Sequence, residues 1–330
     1  MGKKMKKILG AIFLLTLVFP LNVFAHHGGV SLPLGPGTPI ETASPLTLPQ
    51  GGVVTYARIE QVEWRKFDFA EPNNKSSFTF LSAGVSYGFT PYLTGTFSVP
   101  YNIKRQDSFG SNSGLGDIRL SGMLGFNYSD GQGFSLNTEK EDAVSLEKVK
   151  KTFFSIYGGF TLPTGPYKQE LGGEVDPGMQ PGFGSPSFTL GMNAGRAIYG
   201  SLSLTADISM DYFTQRDNFK FGNEYRFNLA AVQELYGNTQ RFIDKIDGIL
   251  ELNLLHISRD QEGGEGQRAT GGTILYVTPG MRLSFPKIQN ANLGIAIKLP
   301  ILKSLNEQGE QQGAEGLEKY RAIATLSFYF

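Results

Sequence analysis

Counting back from Phe330, every second residue is apolar: Phe328, Leu326, Ala324, Ala322 and Tyr320. Tyr329, Ser327, Thr325, Ile323 and Arg321 lie between them, and most are polar. A period of two marks a strand with one apolar and one wetter face. This strand runs to the final residue, as expected of the closing strand of an outer-membrane barrel. Tyr320, Ala322, Ala324, Leu326, Phe328 and Phe330 are then the face read by the outer-membrane assembly machinery.

The alternation recurs upstream. Leu93, Phe97, Val99 and Tyr101 alternate with Thr94, Thr96, Ser98 and Asn102, and Leu202 to Tyr212 alternate with Ser201 to Asp211. Leu293, Ile295, Ile297, Leu299 and Ile301 repeat the pattern. Twelve such segments are predicted, at 53–66, 77–89, 92–105, 115–128, 152–163, 187–198, 201–213, 223–236, 247–258, 272–285, 291–302 and 318–330. About ten residues suffice for a tilted barrel strand to cross the hydrocarbon layer, and an even count returns both ends to the periplasm. Thr90-Pro91, Tyr199-Gly200 and Pro286–Asn290 read as short turns. Phe67–Ser76, Gln106–Gly114, Thr164–Pro186, Arg259–Gly271 and Lys303–Leu317 read as longer, polar loops. Ser129–Lys151 departs from this order, being long on the short-turn side. A soluble β-sandwich would show shorter, more closely spaced strands. The expected fold is therefore all-β: a single transmembrane antiparallel β-barrel of 12 strands over residues 53–330.

Lys3, Lys4, Lys6 and Lys7 precede an apolar run from Ile8 to Val18, and Val23-Phe24-Ala25 follows. These are the parts of a signal peptide, residues 1–25, cleaved after Ala25. The mature chain then has 30 − 4 = 26 basic and 30 acidic side chains, a net charge of −4. His26–Gly52 carries five Pro and six Gly, which excludes a helix or a central strand. It is expected to be an extended arm, either periplasmic or docked in the barrel. With no Cys there is no disulfide framework and no thiolate metal site. No stretch reads as a phosphate loop or a basic tract, so nucleic acid is not an expected partner.

Parity sends Lys104, Asp117, Arg119, Asp207, Asp211, Glu224, Arg226, Glu251, Asn253, Arg282, Lys298 and Arg321 into the lumen. Such mixed charges either line a narrow solute path or pair across it and plug it; buried charges must pair or stay hydrated. Ser201, Ser203, Thr205, Gly294 and Ala296 are small inward residues that leave room for a path. Two constellations are candidates for chemistry. His26 and His27 would begin the mature chain, and an amine beside imidazoles suits copper. His256 and Ser258 share the outward parity of Leu250, Leu252 and Leu254. This is similar to outer-membrane phospholipase A, in which a His activates a Ser nucleophile. That family orients its His with a polar residue, usually Asn, on the next strand. The matching position here is near Thr273, and no Asn lies between Arg259 and Phe285.

Gly114-Leu115-Gly116-Asp117 opens a strand and Leu162-Pro163-Thr164-Gly165 ends one. Pro181-Gly182-Phe183-Gly184-Ser185 precedes the next, and Thr278-Pro279-Gly280-Met281 lies within another. With the terminal Phe330, these resemble the outer-membrane transporter-like family associated with meta-pathway phenol degradation. The resemblance implies a channel or transporter in the outer membrane, with membrane lipid and a small solute as partners. A hydrophobic or aromatic solute is implied by the family label alone. The alternatives are a structural barrel with a plugged lumen and a phospholipase-like hydrolase using His256 and Ser258.

Overall fold

The computed structural model describes residues 39–66, 74–138, 151–238, 241–288, 290–306 and 318–330. The signal peptide, His26, His27 and Glu139–Lys150 lie outside the described residues. Twelve strands form the barrel wall: β1 Val53–Trp64, β2 Lys75–Thr90, β3 Leu93–Gln106, β4 Ile118–Ser129, β5 Thr152–Leu162 and β6 Ser187–Tyr199. The second half is β7 Leu202–Phe213, β8 Glu224–Gly237, β9 Lys245–Ile257, β10 Gly272–Phe285, β11 Ala291–Leu305 and β12 Glu318–Tyr329. Each strand pairs antiparallel with its sequence neighbours, and β1 pairs with β12 from Val54–Tyr329 to Trp64–Glu318, closing the sheet. Closure leaves no unpaired edge, which a β-structure in lipid requires.

Short additions extend the two rims. Gly110–Leu115 pairs back onto the end of β3. On the short-turn side, Gly133–Leu136 folds back onto the end of β4. Phe219–Lys220, Gln261–Glu262 and Glu265–Gly266 make a small separate sheet from the long loops.

Burial is inverted relative to a soluble protein. Leu190, Leu204, Ile208, Phe227, Leu250, Ile297 and Ile301 are exposed on the outer surface, while Arg58, Glu60, Glu224, Glu251 and Arg321 are buried inside. No helix among the described residues is long and apolar enough to cross a membrane. The fold crosses with strands whose outward faces form an apolar belt. Inside, Gly84 stands opposite Tyr56 on the neighbouring strand, and a Cβ there would lie 2.6 Å from the tyrosine ring. Glycine thus lets a large inward ring lie flat on the wall.

The ladder ends at Phe330, whose N–H donates to the Val53 carbonyl (2.9 Å) and whose carbonyl accepts from the Val53 N–H (3.1 Å). Phe330→Asp puts a charge at the end of this seam. The expected result is export without insertion, seen as loss of the heat-modifiable band from the outer-membrane fraction. A band at the unaltered level would contradict it.

Candidate functional site in the lumen

Residues 39–48 cross the lumen, all of them buried. None belongs to a strand of the wall; side chains hold them. The Glu251 carboxylate on β9 accepts the backbone N–H groups of Ile40 (2.6 Å), Glu41 (3.1 Å) and Thr42 (3.1 Å), and the Thr42 hydroxyl (2.9 Å). Successive N–H groups cradling a carboxylate form a strong, charge-assisted contact. Further along, Asn193 Nδ2 donates to the Ser44 carbonyl (3.1 Å), the Thr47 hydroxyl donates to the Pro91 carbonyl (2.5 Å), and the Leu48 N–H donates to Thr94 (2.8 Å). Ile40 packs with Val232, Ile249, Ala296 and Ile323. A Cβ on Gly280 or Gly294 would lie 3.3 or 3.4 Å from Ile40. The space that the small inward residues leave is taken here by Ile40. A cavity of about 60 Å³, lined by Ile40, Leu48, Tyr56, Arg282 and Thr325 among others, remains between arm and wall.

The arm also enters the ion pairs. Glu41 pairs with Arg58 and, at 2.8 Å, with Lys298. Arg58 reaches Glu60 at 2.6 Å, Glu60 reaches Arg321 at 2.9 Å, and Arg321 closes on Glu318. Across the lumen, Asp211 is shared by Arg119 (3.3 Å) and Arg226, and Arg226 also binds Glu224. A ladder of neutral side chains leading to Asp207 joins the two sides. Thr278 donates to Asn253 (2.7 Å), Asn253 to Asn228 (3.1 Å), and Asn228 to Asp207 (2.9 Å), which also accepts the Tyr157 hydroxyl (2.5 Å). Arg282 pairs with Asp247 at 2.7 Å nearer the short-turn rim.

The opposite end is closed by different chemistry. Val62 and Trp64 on β1, Phe78 and Phe80 on β2, Leu255 and Ile257 on β9, Ile274 and Tyr276 on β10, and Leu305 on β11 form an apolar chamber inside the barrel. Met179, fully buried, fills its centre. It arrives on a single 3₁₀ turn, Pro177–Met179, capped by the Asp176 side chain, which accepts the Gly178 N–H (2.7 Å). Lys104 donates to the Gly178 carbonyl at 2.8 Å. Lys298 lies 4.4 Å from the Tyr276 ring centroid and Arg321 6.0 Å from that of Phe80, so the chamber floor meets the ion network through cation–π contacts.

Three of the glycine-rich motifs meet where that loop is anchored. Asp117 accepts the N–H of Gly165 (2.9 Å) and of Phe183 (2.7 Å). A Cβ on Gly165 would lie 2.8 Å from the Gly182 Cα, so both positions need glycine for the backbones to touch. Asp117 is therefore part of a rim knot that pins the 163–186 loop. The other predicted lumen residues point inward and are paired as described. Sequence parity missed Glu41, Arg58, Glu60, Asp247 and Glu318; on β1 the inward set Tyr56, Arg58, Glu60 was legible from the same alternation. His256 faces outward, its Nδ1 2.9 Å from the Thr273 hydroxyl and its ring 5.9 Å from that of Tyr225, while the Ser258 N–H donates to the Asn223 carbonyl (2.9 Å). Among the described residues, no group of three His, Cys, Asp or Glu side chains is placed to hold a metal.

The family profile described as "Putative MetA-pathway of phenol degradation" matches residues 95–295. No curated protein matches the sequence. Among solved structures, the chain is similar to the COG4313 outer membrane channel from Pseudomonas putida F1, with a TM-score of 0.60, 12% identity, and 87% of this chain and 98% of that one covered. It is also similar to the β domain of the Bordetella autotransporter Brka, with a TM-score of 0.46, 9% identity, and 85% and 100% covered. The first likeness identifies the fold as that of an outer-membrane barrel.

Two predictions follow from this geometry. Glu251→Ala removes the acceptor of four arm contacts, each worth roughly 1.5–3 kcal/mol to a charged group. In a chain without native Cys, maleimide labelling at Ser44→Cys should then be at least about tenfold faster than with Glu251 intact, the kinetic equivalent of one such contact. Unchanged labelling would mean that Glu251 does not hold the arm. The second concerns Asp260 in the loop after β9, where it accepts the Gly222 N–H at 2.6 Å. Burial raises its pKa from 3.8 to about 8, against the opposing pull of that hydrogen bond and of Lys75. The folded state therefore binds the proton more tightly than the unfolded state, and stability falls as pH rises through that interval. Relative to Asp260→Asn, the melting midpoint of the unaltered protein should fall between pH 5 and pH 9; parallel curves would refute this.

Proposed function

The chain belongs to the family of that description, and from this premise we propose that it is an outer-membrane channel for small solutes. In the state described here, its path is closed by the 39–48 arm at one level and by Met179 at another. The observation that carries this reading is how the arm is held. It fills the lumen through side-chain hydrogen bonds and ion pairs, while the twelve-strand ladder closes without it. An insert held in this way can leave without breaking the wall. Once vacated, the wall presents charges of both signs beside small residues, costly in a dry interior but tolerable beside water. The chamber around Met179 supports an apolar or aromatic solute as the cargo, because Trp64, Phe78 and Phe80 belong to its lining.

The test is conductance in planar bilayers. Full-length protein should give small, intermittent currents, and protein lacking Pro39–Gln50 larger and steadier ones. In the arm-free form, Asp207→Lys and Arg282→Glu should shift ion selectivity in opposite directions, since each alters the fixed field of a narrow path. Silence from both forms, with folding verified, would make the plugged structural barrel the better account.

A further inference from the structure

The outer surface is not uniformly ridged. Most outward positions carry Leu, Ile, Phe or Tyr, but where β6, β7 and β8 adjoin they carry Ala194, Ala206 and Ala231. Ala194 and Ala206 face each other across the β6–β7 ladder. Two apolar troughs, of about 460 and 450 Å³, meet at this pair. One runs between Leu204, Leu229, Leu250 and Leu252, the other between Phe154, Met192, Ile208 and Phe227. At the short-turn end of the first trough stands Arg196, exposed, with Thr152 beside it. It lies three residues before the end of β6 at Tyr199, roughly 10 Å from the turn at ~3.3 Å per residue. Strand tilt shortens this to roughly 7–8 Å along the barrel axis, within the distance over which a long Arg side chain can reach up to the headgroups of the periplasmic leaflet.

A guanidinium on a lipid-facing strand is costly unless it reaches a counter-charge. Arg196 has no carboxylate partner among the described residues, and no acidic residue lines the first trough. A second copy of the chain seated here would press this charge into an apolar contact. A phospholipid phosphate would meet it with matching fork geometry. We propose that this surface seats one anionic diacyl phospholipid of the periplasmic leaflet, its phosphate on Arg196 and its two acyl chains in the two troughs. The site is independent of the lumen and of whether the channel conducts.

Native mass spectrometry of the full-length protein, in micelles with equimolar phosphatidylglycerol and a diacylglycerol of the same acyl chains, which lacks the phosphate, tests this. One retained phosphatidylglycerol is expected, with about tenfold preference, as one charge-assisted contact would give. Arg196→Gln should remove the preference. Ala206→Phe, filling the saddle between the troughs, should lower retention of both lipids. Heat-modifiable migration verifies that each variant is folded; if one is not, the selectivity of the unaltered protein decides alone. Equal retention of the two lipids, selectivity that survives Arg196→Gln, or a lipid-free dimer would each overturn the proposal.

Discussion

A barrel of twelve strands is too narrow to hydrate its whole inner wall, and that constraint governs the rest of the molecule. Eight strands enclose little more than side chains and sixteen an aqueous pore. At the width between, an inward charge must find a partner across the lumen. Glu318, Arg321, Glu60, Arg58, Glu41 and Lys298 do so as one continuous chain of ion pairs. Removing one partner from a buried pair costs roughly 3–5 kcal/mol, because it strands the other. The arm is tied into this arrangement: Glu41 lies between two wall cations, and Glu251 is satisfied chiefly by arm backbone. Arm and wall are thus mutually dependent for charge balance, though not for strand pairing.

The strands were legible in the sequence because a lipid-facing strand must keep its parity along its whole length. One slipped residue would turn Leu250, Leu252 and Leu254 inward and set Glu251 and Asn253 in lipid. The same rule gave the inward direction of Asp207, Asp211, Lys298 and Arg321. Parity gives a face, however, and never a partner. Which carboxylate meets Arg58 depends on strand order around the barrel and on the arm, and neither leaves a periodic trace. Ile40-Glu41-Thr42 has no repeat to mark it as a binding segment, since its contacts come from consecutive backbone N–H groups. The chamber was hidden for a related reason. Trp64, Phe78 and Tyr276 break the polar-inside rule, and only the arrival of Met179 from a distant loop explains why.

The glycine-rich motifs carried architecture rather than chemistry. Their convergence at Asp117 ties the loop that carries Met179 to the strand ends, so the knot at the rim fixes what fills the chamber. The two closures therefore differ in kind. One is a polar strap whose release exposes paired charges to water; the other is a single apolar side chain in an apolar cup. A charged solute gains nothing from the cup, because entry would strip its hydration with no compensating partner among Val62, Phe78 and Ile274. In the proposed channel, an apolar solute would take the place of Met179 against the same apolar lining, next to the aromatic faces over which Lys298 and Arg321 lie at the chamber floor. Beyond that floor an apolar body gains little from the wall, whereas a solute that also carries a hydroxyl can bond to the Asn253–Asn228–Asp207 ladder. For the channel proposed above, the order of the two surfaces along the axis would favour small molecules that are apolar at one end and hydrogen-bonding at the other.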